Sequence, residues 1–119
     1  MGKILVVDDS RTSRRILKGI LESAGHEIVG EAMNGEEGYQ KYCDLKPDLV
    51  TLDVTMPVLD GIGALKKIKA DFPDSKVVMV TAAGQKSKIV EAVQAGADEF
   101  IPKPFEAEQL AQVIAKVIQ

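Results

Sequence analysis

Short apolar runs that end on charged or hydroxyl residues alternate along this chain with stretches whose apolar positions recur at helical spacing. Lys3-Ile-Leu-Val-Val7 is continuous, rich in β-branched residues and stopped by Asp8-Asp9, the pattern of a strand buried on both faces. Ser10 then stands where a helix cap is needed. From Arg11 to Ala24 the residues Ile16, Leu17, Ile20, Leu21 and Ala24 share one face while Arg14, Arg15, Lys18 and Glu22 fall away, and Gly25 is placed to end the helix. Glu27 to Met33 reads as a second strand, weakened by Gly30, and Asn34-Gly35 turns the chain into a helix through Tyr39, Tyr42 and Leu45 that Lys46-Pro47 closes. The third strand is the apolar run Asp48-Leu-Val-Thr-Leu-Asp53, which carries nothing chemical until it ends on a carboxylate. A loop holding Met56-Pro57 and Asp60-Gly61 leads to a helix with Ile62, Leu65, Ile68 and Lys69, ended by Phe72-Pro73-Asp74. Lys76 to Val80 forms a fourth strand ending at Thr81. Ala82 to Gln85 loops into a helix around Ile89, Val90 and Val93 that closes at Gly96; Glu99 to Ile101 is a short fifth strand, and Glu106 to Ile118 the last helix.

Five strands alternating with five helices, without repeat or linker, predict a single α/β domain over residues 1–119, a doubly wound five-stranded parallel sheet with helices on both faces and right-handed crossovers. In such sheets ligands sit beyond the carboxyl ends of the strands. Composition narrows the class further. The 119 residues suffice for one core, and no apolar run approaches the roughly 18 residues of a membrane span. Met1-Gly2-Lys3 leads straight into a strand, leaving no room for a signal peptide, so the expected location is cytoplasmic. A net charge of −3 with no basic stripe argues against nucleic acid as a partner. The lone Cys43 lies in a helical pattern and reads as a half-buried small residue rather than a ligand or nucleophile. His26, the only histidine, sits in a Gly-His-Glu turn and reads as an exposed loop residue; it is a poor phosphodonor, so the chain is expected to receive rather than send.

The chemistry collects at the carboxyl rim. Asp8 and Asp9 leave the first strand, Asp53 the third and Thr81 the fourth, and Lys103 follows the fifth. Taken singly, Asp8-Asp9 reads equally as a solvated strand end, Lys103 as a surface lysine and Met56-Pro57 as turn chemistry. Jointly they place three carboxylates, a hydroxyl and an ammonium at one crevice, although packing demands none of them there. Crowded carboxylates repel and have raised pKa values unless a cation is present. Oxygen donors without a His or Cys cluster suit Mg²⁺ better than Zn²⁺. Such a site supports phosphoryl transfer, with Asp53 as nucleophile and the metal, Lys103 and Thr81 each taking a phosphoryl oxygen.

Val6-Val7-Asp8-Asp9-Ser10, Leu52-Asp53 with Met56-Pro57 and Asp60-Gly61, Val80-Thr81-Ala82, Ala95-Gly96-Ala97 and Lys103-Pro104-Phe105 together resemble a response-regulator receiver domain, most closely the single-domain chemotaxis (CheY-like) type. The resemblance implies strand order 2-1-3-4-5, as in the flavodoxin-like fold. It implies that Asp53 accepts a phosphoryl group from a sensor histidine kinase, that Asp9 and Asp53 ligate Mg²⁺ directly and Asp8 through water, and that the carbonyl of Thr55 completes the set. Lys103, after which the family has a cis peptide bond to Pro104, would pair with the phosphoryl group. Thr81 would move to bond it, and Phe100, the switch aromatic, would swing inward. Phe100 stands where chemotaxis members often have tyrosine, and Thr55 and Ala83, at positions that tune phosphoryl lifetime, are uncharged. The expected readout face is the fourth helix, fifth strand and fifth helix, with Lys86, Lys88, Gln94, Gln109 and Gln112 exposed. Because no DNA-reading module follows Gln119, the expected output is another protein, the flagellar motor switch, bound by a monomer whose only catalysis is its own phosphorylation and dephosphorylation.

Three rival readings remain at this point. Within the family, the chain is a phosphorelay intermediate that passes its phosphoryl group to a histidine phosphotransfer protein. Outside it, the chain is a flavodoxin-like FMN carrier, which the absence of tryptophan disfavours, or an aspartyl-phosphate hydrolase, for which no cap is present. Gly61-Ile-Gly63 is not a dinucleotide loop, since Lys66 stands where a third glycine belongs.

Overall fold

A computed structural model describes residues 2–119. The elements run β1 (Lys3–Val7), α1 (Arg11–Ser23), β2 (Glu27–Ala32), α2 (Gly35–Leu45), β3 (Leu49–Asp53), α3 (Gly61–Asp71), β4 (Val77–Thr81), α4 (Lys86–Gln94), β5 (Glu99–Pro102) and α5 (Ala107–Ile118). The strands form one parallel sheet in the order β2-β1-β3-β4-β5, as expected. Side-chain oxygens start most of the helices. Ser10 accepts from the N–H of Ser13, Asn34 from Glu37 and Asp60 from Gly63, each satisfying a first-turn donor that has no partner inside its helix.

Alternation along each central strand sends side chains to opposite faces, and the sheet thereby divides the interior in two. Leu5, Val7, Val50, Leu52, Val77 and Met79 meet α2, α3 and α4 through Tyr42, Ile62, Leu65, Ile68 and Ala92. Ile4, Val6, Leu49, Val78 and Ile101 meet α1 and α5 through Leu17, Leu21, Leu110 and Ile114. Gly30, which interrupts the apolar pattern of β2, lies at a register irregularity: Ile4 pairs with Ile28 but Leu5 with Gly30, so Val29 is an extra residue in β2.

Several sequence expectations are corrected here. His26 is buried, not exposed, and its Nδ1 accepts a hydrogen bond from the backbone N–H of Gly2 at 3.0 Å. The turn that holds it is pinned under the start of β1, which local sequence cannot reveal. On α1, Leu17 and Leu21 are the buried residues, whereas Ile16 is exposed and Ala24 lies outside the packed face. On α4 the buried residue is Ala92, and Val90 and Val93 are 58% and 56% exposed. A short helix at one end of the sheet covers too little surface to bury its whole apolar stripe. Cys43 is half-buried as expected. Among the described residues, no helix is long and apolar enough to cross a membrane.

Candidate functional site

Sheet register brings the sequence-predicted residues together. Asp53 is the last residue of β3 and lies beside Val80, one residue before Thr81 ends β4. Asp8 follows β1 directly, its N–H held by the carbonyl of Ala32 at 3.0 Å. The carboxylate oxygens of Asp8, Asp9 and Asp53 fall within 4.8 Å of one another. Asp8 and Asp53 are buried and Asp9 is exposed. Lys103 reaches the same point from beyond β5, its Nζ 3.1 Å from Asp8 Oδ2 and 3.4 Å from Asp53 Oδ2. Its backbone N–H donates to the carbonyl of Thr81 at 2.7 Å, and the Lys103–Pro104 peptide is cis.

The loop after Asp53 depends on a close approach that only glycine permits. A Cβ on Gly61 would lie 1.9 Å from the carbonyl oxygen of Asp53, and the Gly61 N–H instead donates to the carbonyl of Val54 at 2.9 Å. Asp60-Gly61 therefore folds the loop back beneath the acid at its start while Asp60 caps α3. The tip of that loop is Val58, 84% exposed and at φ 70°.

Electrostatically the site is short of positive charge. Three carboxylates against one ammonium leave two negative charges uncompensated. Burial, followed by the charge of Asp8, pushes the Asp53 carboxyl up to about 6 despite the opposing pull of Lys103. Burial disfavours the charge on Lys103, but Asp53 and Asp8 outweigh it and hold its ammonium above the ordinary range. Asp8 Oδ1 accepts from the Ser10 N–H at 2.8 Å, while Oδ2 is buried without an aligned hydrogen-bond donor. Hard oxygen donors, a buried carboxylate oxygen met only by the Lys103 ammonium and a deficit of two charges fit a divalent cation.

Two neighbours of the acid cluster escape the sequence pattern. Arg14, expected to point away from the core, has a side chain only 11% exposed; its Nη1 donates to the Asp8 carbonyl at 2.7 Å and its Nε to Glu31 at 3.1 Å. It braces the backbone of the acid pair. Gln85 crosses the rim between loops, with Oε1 accepting from the Ala82 N–H at 2.6 Å and Nε2 donating to Thr55 Oγ1 at 2.9 Å. The only local signal for Arg14 was its place one turn after Asp8-Asp9; for Gln85 there was none. Phe100 is half-buried against the α2-α3-α4 core, and Lys86, Lys88, Gln94, Gln109 and Gln112 are exposed as expected.

A doubly wound sheet with an acid cluster at its carboxyl rim fits a signalling receiver. The family model for the response regulator receiver domain matches residues 4–115, and the chain belongs to that family. Its relatives include chemotaxis signalling proteins. Chemotaxis protein CheY of Thermotoga maritima is 46% identical over 118 residues, covering 98% of each chain, and chemotaxis protein CheY of Bacillus subtilis is 46% identical over 116 residues, covering 98% of this chain and 97% of that one. Among solved structures, a CheX-CheY-BeF3-Mg²⁺ complex from Borrelia burgdorferi superimposes with a TM-score of 0.93 at 34% identity, covering 98% of this chain and 89% of that one.

Proposed function

We propose that this chain is a phosphorylation-activated chemotaxis switch in which Asp53 is the phosphoryl acceptor. The observation that carries the reading is the clustering of the Asp8, Asp9 and Asp53 carboxylates at the end of β3, with the Lys103 ammonium paired to Asp8 and Asp53. An Asp53 carboxylate oxygen attacks the phosphorus of a phosphohistidine on a sensor kinase; the P–N bond breaks, the imidazole leaves with its electron pair, and an acyl phosphate remains. Asp9 and Asp53, Asp8 through water, and the Thr55 carbonyl would hold Mg²⁺, which supplies charge neutralisation at the phosphoryl oxygens. Lys103 sits within reach of both buried carboxylates and is the group that pairs with a phosphoryl oxygen. Thr81 follows Val80, the register partner of Asp53, and its hydroxyl is the one that turns toward the new anion, with Phe100 closing behind it.

The modification adds about −1.5 to −2 charges and shifts a pre-existing equilibrium through differential stability. The output is an effector protein, the flagellar motor switch, bound on α4, β5 and α5. The exposed Val90 and Val93 supply apolar contact area beside Lys86, Lys88 and Gln94. With acetyl phosphate and Mg²⁺, the chain is expected to take up label stoichiometrically, and Asp53→Ala to take up none while keeping the wild-type circular dichroism spectrum. Label that survives Asp53→Ala refutes the assignment.

A further inference from the structure

Thr81 hands its carbonyl to β5, accepting from the Lys103 N–H at 2.7 Å. In a trans peptide the N–H of the next residue points the opposite way, so the Ala82 N–H faces the β3 side, where Asp53 ends its strand. It is the first donor of β4 past the ladder, since the last β3–β4 contact at this end joins the Val54 N–H to the Val80 carbonyl. A backbone donor on that side of β4, outside the ladder, is one that a phosphoryl oxygen on Asp53 would recruit.

That donor is already taken. Gln85 Oε1 accepts from it at 2.6 Å, and the same amide donates from Nε2 to Thr55 Oγ1 at 2.9 Å. One side chain therefore ties the β4–α4 loop both to its own backbone and to the loop that follows Asp53. Gly84, at φ 84°, lies between Ala82 and Gln85 and turns the chain back so that the amide reaches.

We propose that Gln85 is a latch for the unphosphorylated state. Its amide occupies the backbone donor that a phosphoryl group on Asp53 needs, and tethers that donor's loop to Thr55. Activation then displaces Gln85 from Ala82, which also frees the start of α4. Gln85 is a positioning residue: it acts through the Ala82 N–H and Thr55. The inference rests on Asp53 as the acceptor and adds what competes with the phosphoryl group there.

The test is titration of the full chain with beryllofluoride in excess Mg²⁺, followed through the ¹⁵N–¹H signal of Ala82. Gln85→Ala and Gln85→Asn, the latter one methylene too short to span both partners, are expected to bind beryllofluoride about 3- to 10-fold more tightly than the wild type, the range one net hydrogen bond provides. Their Ala82 amide should exchange faster with solvent in the free state. Thr55→Val removes the tether alone, and combined with Gln85→Ala it should give no more than Gln85→Ala does. Unchanged or weaker affinity in both Gln85 variants, with wild-type melting temperatures, overturns the latch and leaves Asp53 as acceptor. Wild-type affinity for beryllofluoride in Asp53→Asn overturns the acceptor assignment, and the latch with it.

Discussion

Asp53 is held where its ionised form is costly. Its pKa rises from 3.8 to about 6 because burial and Asp8 outweigh Lys103. Between those values the folded chain carries more proton on Asp53 than the unfolded chain, so stability falls as pH rises through that window and stays lowered above it. The rise corresponds to about 3 kcal/mol at neutral pH. Without divalent metal, Asp53→Asn is therefore expected to flatten the stability profile between pH 4 and about 6 and to raise the pH 7 melting temperature by several degrees. Equal slopes for the two proteins in urea titrations across that window would contradict the charge deficit. Val58 carries a different strain, a β-branched side chain at φ 70° with 84% of its surface exposed. Asparagine tolerates that conformation and no packing is lost, so Val58→Asn should move the urea midpoint upward by the equivalent of about 1 kcal/mol.

At the scale of elements, α1 and α4 mark where the sequence pattern succeeds and where it stops. Leu17 and Leu21 are legible as the buried face of α1 because a long amphipathic helix must lay one stripe on the sheet. On α4 the same period places Ile89, Val90 and Val93 together, yet Ala92 is what reaches the sheet; periodicity gives a direction and not the area available to cover it. The double variant Val90→Ser/Val93→Ser should change stability by less than about 1 kcal/mol. It should weaken binding of a motor-switch peptide to the beryllofluoride-loaded chain at least tenfold, measured by calorimetry. His26 and Gln85 were illegible for a common reason: the Gly2 N–H lies 24 residues from His26 and Thr55 lies 30 from Gln85, and no local rule connects them.

Across the whole molecule, the strand ends were the legible part of the site. Asp8, Asp53 and Thr81 each terminate an apolar run, and parallel pairing brings such ends to one edge whatever fills the core. The pairing order itself came from family likeness, since five similar strands admit several orders. The partition made by the sheet has its own consequence. The α2-α3-α4 core and the α1-α5 core share backbone but few side chains, so loosening one costs the other little. Phe100 belongs to the first and Phe105 to the second. Beryllofluoride loading should therefore change amide exchange in α4 while leaving the protection of Leu17, Leu21 and Ile114 within about twofold. The sheet would act as a bulkhead for the proposed switch: a rearrangement begun at Asp53 would spread along one compartment while the other keeps the molecule folded.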